Sequence, residues 1–205
     1  MNRPRAPFQI IRTELRAYLA INALVYGAFL LGMGLAIVFP DLHAARTASF
    51  ATSDQGALAQ TVAANPWIFG TAIFLINVFP TALLLIVLPS LLIPFAGLAV
   101  FAVKAIDLGV MLAPVTRESA LMLIPHSLTI LIEFQAYALV AFGAYLLGKS
   151  WLRPTSVGAT TRRQAYLRGL SRLGQLALPA LALFVIGAVY EVIEIYLLVP
   201  RVLNI

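Results

Sequence analysis

The chain has 205 residues, of which 61% are hydrophobic and 11% charged, and it contains no cysteine. A soluble domain of this size carries about twice that charge fraction, so the composition excludes a soluble catalytic domain; the missing cysteines exclude disulfides, thiolate metal sites and a cysteine nucleophile. The net charge of +6 is not spread as a nucleic-acid binder would spread it, because ten of the fourteen Lys and Arg residues fall in two segments beside apolar runs.

Those ten are Arg3, Arg5, Arg12 and Arg16, then Lys149, Arg153, Arg162, Arg163, Arg168 and Arg172. Such clusters act as orientation signals and contact anionic lipid headgroups. No nucleic-acid partner is expected.

A bilayer core of about 30 Å takes roughly 20 helical residues to cross. The first apolar run, 17–39, ends at Pro40-Asp41 and is too long for a signal peptide's apolar stretch, so an uncleaved anchor is expected. Segment 41–65 reads as a polar loop, within which Thr52-Ser53-Asp54 caps a short helix reaching Ala64. Pro66-Trp67 marks re-entry, with Trp67 as an interfacial anchor. As one helix, 67–113 would be about 70 Å long, so two crossings are expected, at 67–88 and 91–112, with a tight turn near Pro89. Pro80 and Pro94 kink these helices, and a pair of half-helices dipping in and out is the alternative.

A fourth crossing is expected at 121–147 and a fifth at 173–199, joined by a basic connector, 148–172, that contains no acidic residue. Tyr166, Leu170 and Leu173 recur at helical spacing there, the outline of an interfacial amphipathic helix. Phe8, Ile11, Leu15 and Tyr18 form a similar stripe before the first crossing. The fold expected is therefore all-α, a single polytopic transmembrane bundle of about five crossings. An odd number of crossings puts the N-terminus and the basic connector on one side, which the positive-inside rule makes cytoplasmic. The protein is expected in the inner or plasma membrane.

Ionisable side chains within a span usually face protein or a wet cavity. Lys104 and Asp107 lie three apart, His126 and Glu133 seven apart, and Glu191 and Glu194 three apart. Each spacing puts the pair on one helix face. The plain reading is pairing between helices, with Lys104 facing a carboxylate; the sharper one is a polar pocket or a docking face for a partner helix. The helical HExxH zinc spacing is missing, and no metal or cofactor is expected. Small residues are the second feature: Gly27, Gly32 and Gly34 on the first crossing, and Gly143, Ala144 and Gly148 on the fourth. They permit close helix approach, within the bundle or to a partner.

Pro125-His126, then Glu133-Phe-Gln-Ala136, Ala141-Phe-Gly143 and Leu146-Leu147-Gly148, resemble the signature helix of the stage II sporulation protein M family of membrane proteins. Asn77, Asp107-Leu-Gly109 and the late Glu191 and Glu194 stand in places that correspond. The resemblance, over residues 77–200, implies a five-helix membrane component that recruits or braces other envelope proteins, transporters among them, and has no established active site. The function expected is a non-catalytic accessory or scaffolding subunit of a multiprotein cell-envelope complex, associated with a transport machine for lipid or another envelope substrate. Its partners are then other integral membrane proteins and anionic lipid headgroups. The alternative is a small transporter or permease subunit that uses the intramembrane charges.

Overall fold

The computed structural model describes residues 6–203; Arg3, Arg5 and the last two residues lie outside the described residues. The described residues form helices and short connections, with no strand among them. A short helix, α1 (Ala6–Thr13), is followed by α2 (Leu15–Val38), which stops at Phe39 because the residue before a proline is pushed out of the helical region. Pro40 then opens α3 (Pro40–Ala51) from the first turn, where its missing N–H removes no bond. Ser53 caps α4 (Asp54–Val62) by accepting from the Gly56 amide. The expected loop 41–65 is thus two helices, of which only the second is signalled by its cap.

Asn65 accepts from the Trp67 and Ile68 amides to start α5 (Pro66–Leu92). Residues Asn77–Val87 of α5 take the wider π-helical register around Pro80. Proline has no N–H to offer the carbonyl four residues back, which is Ile76. The Thr81 hydroxyl donates to that carbonyl at 3.0 Å, so the kink does not leave this acceptor unpaired. Pro89 does not turn the chain as expected. It sits where the π register reverts to α, a first-turn position that tolerates proline, and the helix continues to Leu92. The reversal comes at Pro94: Ile93 is extended before it, and Phe95 takes a left-handed conformation with φ of 67°. The Phe95 ring packs on Tyr145, 5.7 Å between centroids, and lies against Gly148. A side chain at Gly148 would displace the ring that holds this strained turn.

Helix α6 (Ala96–Met111) has 16 residues, about 24 Å, which is shorter than the expected 91–112 crossing and than a full bilayer core. Thr116 and Ser119 form a reciprocal capping box that starts α7 (Arg117–Leu152). Thr161 caps α8 (Arg162–Leu203), whose residues Glu194–Leu198 are again π-helical. The basic connector therefore shrinks to 153–161. Tyr166 and Leu173 of its expected interfacial stripe instead face α7: Tyr166 meets Trp151 edge-on at 5.4 Å, and Leu173 is buried against Gly143.

Four helices, α2, α5, α7 and α8, are long and apolar enough to cross a membrane. Their outer surfaces are those of a membrane protein, with Trp67 86% exposed and Leu178 68%. Helix α7 is the axis. From Phe134 to Gly148 nearly every side chain is buried, wrapped by α2, α5, α6 and α8. At one end of the bundle, Lys149 of α7 reaches Glu14 at 2.8 Å and the Tyr166 hydroxyl donates to the Leu91 carbonyl at 3.1 Å. At the other end, His43 donates to the Val110 carbonyl at 2.9 Å and the Tyr196 hydroxyl to the Ala63 carbonyl at 2.7 Å. Successive long helices therefore run in opposite directions, apart from the α5–α7 pair, between which the shorter α6 makes the return.

Helices α2 and α6 touch backbone to backbone. A Cβ added at Gly32 would strike the Ile106 carbonyl, and one at Gly109 would strike the Phe29 carbonyl. Close approach through small residues is a main attraction between helices in lipid. Gly109→Val should therefore separate the pair and lower the thermal midpoint in detergent, at a cost of about 1–3 kcal/mol as for other overpacked sites. Gly34→Val, at a position with open space around it, serves as the control.

Candidate functional site

The ionisable residues of the apolar helices divide into two groups. The first sits at the His43–Val110 end. Lys104 donates to Asp107 Oδ2 at 3.1 Å along one face of α6. Arg46, from α3, forks onto the same carboxylate: its Nη2 meets Oδ2 at 2.9 Å and its Nε meets Oδ1. This bidentate bond raises the Arg46 pKa further above its ordinary value, so the guanidinium stays charged at any working pH. Sequence reasoning missed Arg46; an arginine in an Ala/Thr helix has no partner legible from spacing alone. Because Arg46 already holds both oxygens, Lys104→Met should cost under about 1 kcal/mol, as partly exposed pairs do. Arg46→Met should lower the thermal midpoint more, and the reverse order would show that Lys104 is the main clamp.

The second group lies inside the bundle, where α5, α7 and α8 meet. His126 and Glu133 project from one face of α7. Pro125 lies inside the continuous helix just before His126, and the Tyr190 hydroxyl of α8 donates to the Pro125 carbonyl at 3.2 Å. Glu194, 1% exposed, stands at the start of the π segment of α8. One of its oxygens is 2.7 Å from His126 Nδ1, and the other accepts from the Thr129 hydroxyl. Both carboxylate oxygens are thus engaged.

Glu133 is held differently. Its Oε1 accepts from the Asn77 side-chain amide, at the first residue of the π segment of α5. The Asn77 oxygen in turn accepts from the Tyr137 hydroxyl at 2.7 Å. Gly187 of α8 makes room for this arrangement, since a Cβ there would fall 2.9 Å from Glu133 Cγ. Glu191 lies on α8 one helical turn after Gly187 and three residues before Glu194, and is partly exposed. Its helical spacing puts it on the face of α8 that carries Gly187 and Glu194 toward α7.

His126, Glu133, Glu191 and Glu194 therefore share one locus, and Lys104 and Asp107 belong to another. No group of three or more His, Cys, Asp or Glu among the described residues has the geometry to hold a metal ion. Asn77, Thr129 and Tyr137 complete the intramembrane set. Sequence spacing held a hint of the latter two, since Thr129 follows His126 by three residues and Tyr137 follows Glu133 by four, the helical neighbour distances.

The small residues of α7 point inward. Gly143 faces Leu173, Gly148 faces Phe95, and Ala144 is fully buried. None of the three is open to a partner. On α2 the pattern differs: Gly32 is internal, whereas Gly27 and Gly34 lie seven residues apart on one face, with nothing within 4 Å of a Cβ added at either.

An isolated carboxylate near the centre of a membrane helix costs roughly 2.5–3.5 kcal/mol on insertion scales. The hydrogen bonds to Glu194 from His126 and Thr129, and to Glu133 from Asn77, offset part of that cost. The polar groups run over the twelve residues of α7 from His126 to Tyr137, a rise of about 16 Å, and then give way to the apolar packing around Phe142 and Leu146. Compared with family models, with curated proteins and with solved structures, the chain matches none.

Proposed function

We propose that the protein is a non-catalytic accessory or scaffolding subunit of a multiprotein assembly in the cell envelope, with its basic end cytoplasmic. The observation that carries this reading is the division of labour among its small residues. Those of α7 are consumed in building the bundle, while Gly27 and Gly34 stay open on the outer face of α2, with the exposed Leu30 and Leu31 between them. In lipid, open glycines suit a second helix, because close backbone approach is the attraction available there. The partner is another integral membrane protein, in the family reading a transport machine for lipid or another envelope substrate. The resemblance of Pro125-His126 and the following Glu133 helix to the stage II sporulation protein M family supports the same role.

The basic residues described at the Glu14 end are Arg12, Arg16, Lys149, Arg153, Arg162, Arg163, Arg168 and Arg172. Glu14, which pairs with Lys149 at 2.8 Å and lies 4.0 Å from Arg172, is their one acidic neighbour among the described residues. That surplus suits anionic headgroups of the cytoplasmic leaflet. A photo-reactive residue placed at Gly27 or Gly34 in cells should yield a discrete adduct with another membrane protein. Adducts with lipid alone at both positions would remove the basis for a docked partner.

A second reading is a small transporter subunit, and Glu191 is the observation that favours it. Among the described residues no side chain donates a hydrogen bond to it, although it lies within an apolar span. Purified chain in vesicles that moves an ion or solute by itself, and loses that flux with Glu133→Gln, would decide for the transporter.

A further inference from the structure

Helices α5 and α8 do not close on each other along their whole length. Val78, Leu83 and Val87, all within the π-helical segment around Pro80, stand across from Gly174, Ala177 and Leu181 of α8 and leave a furrow of about 350 Å3. A kinked helix beside such small residues does not fill the gap, and nothing lies within 4 Å of a Cβ added at Gly174. Every residue that lines the furrow is apolar. Its rim is open to lipid, with Leu83 42% exposed and Leu181 39%.

The two ends of the furrow differ. Phe184, edge-on to Tyr137 at 4.9 Å, closes the inner end. From there the furrow follows α8 back to Leu170, a rise of about 21 Å, toward the basic end of the bundle. At that end the Tyr166 hydroxyl donates to the Leu91 carbonyl at 3.1 Å and bridges the two helices. Arg163, seven residues before Leu170, continues the rim formed by Leu170, Gly174 and Leu181, because positions four and seven apart share a helix face. Arg163 is exposed and no described residue accepts a hydrogen bond from it, whereas Arg168 is held on the Val157 carbonyl and Arg172 lies near Glu14. No Asp or Glu occurs between Glu133 and Glu191, and none on α5. The mouth of the furrow is therefore positive.

We propose that this furrow binds an anionic glycerophospholipid of the cytoplasmic leaflet, with one acyl chain between α5 and α8 and the phosphate at Arg163. The paired N–H groups of a guanidinium match phosphate oxygens, and charge complementarity selects an anionic headgroup. A volume of about 350 Å3 drawn out over about 21 Å takes a single hydrocarbon chain. It is too narrow for a partner helix, which is about 10 Å across. The proposal deepens, and rests on, the reading of the basic end as a headgroup contact. It holds whether the protein scaffolds or transports.

Native mass spectrometry tests it, on the full chain released from vesicles that hold equal amounts of phosphatidylglycerol and phosphatidylcholine with identical acyl chains. The parent should retain one phosphatidylglycerol per chain. Gly174→Phe, which fills the furrow from an open position, should lose that lipid. Arg163→Gln should lower the preference for phosphatidylglycerol about fivefold, the effect of one arginine at a membrane surface. A parent that retains no lipid overturns the proposal. Equal retention of the two lipids overturns it together with the headgroup reading on which it rests. Retention of phosphatidylglycerol that Gly174→Phe leaves unchanged overturns the furrow alone, and a preference unchanged in Arg163→Gln overturns the placement of the phosphate. Should Gly174→Phe fail to accumulate, Ala177→Leu narrows the furrow by less and decides the same point.

Discussion

Glu194→Ala is expected to be among the most damaging single substitutions in the chain, with a loss of roughly 3–5 kcal/mol of stability. The side chain is 1% exposed and both its oxygens are bonded, so its removal strands the His126 ring and the Thr129 hydroxyl in an apolar bundle. It also removes the link that fixes the π-helical end of α8 to α7. Glu194→Gln should be milder, because an amide oxygen still accepts from Thr129 or from a neutral imidazole. Replacing both members of the pair by leucine should recover much of the loss, since apolar residues of similar volume often match a buried ion pair. Thermal unfolding in one detergent, with the four proteins side by side, measures this series. A Glu194→Ala midpoint within a few degrees of the parent would mean that the cluster does not brace the helices.

Gly143→Leu should be as severe, for a steric reason. A Cβ at that position would fall 3.1 Å from the Leu173 backbone and 2.6 Å from its side chain, before the rest of a leucine is added. With the Leu173 backbone that close, a leucine side chain fits only if α8 moves away from α7. Helices α7 and α8 form the most extensive packing in the bundle, so forcing them apart exposes α7 along much of its length. The expected outcome is a protein that inserts but aggregates on detergent extraction. Gly27→Leu adds the same volume at an open position and should extract as the parent does, while losing whatever partner docks on α2. Size-exclusion profiles of the two variants separate these effects; equal behaviour would mean that Gly143 is not a packing constraint.

The apolar helices were legible in the sequence because their composition and length leave no other solvent for them. Several boundaries were legible for local reasons, such as the Ser53 cap and the prolines at 40 and 66. What the sequence hid came from competition between prolines and from tertiary packing. Pro80, Pro89 and Pro94 all look like breaks, and only the last becomes a turn. Thr81 satisfies the carbonyl freed by Pro80, and Pro89 falls on a first-turn position. The stripe at Tyr166 and Leu173 has interfacial periodicity, yet it is a packing face, which periodicity alone does not distinguish from a membrane-surface one. Glu133, Glu191, Glu194 and His126 were recognisable as costly residues in apolar spans. Their partners were not, because Asn77 lies 56 residues from Glu133, and Gly187 matters only through the side chain it admits.

That this chain works as one subunit among others is tested most directly by gentle detergent extraction from native membranes, followed by mass measurement of the intact assembly. The expected result is a fixed-ratio complex with at least one other integral membrane protein, lost when Gly27→Leu and Gly34→Leu are combined. A chain that emerges alone, or only with copies of itself, would contradict it.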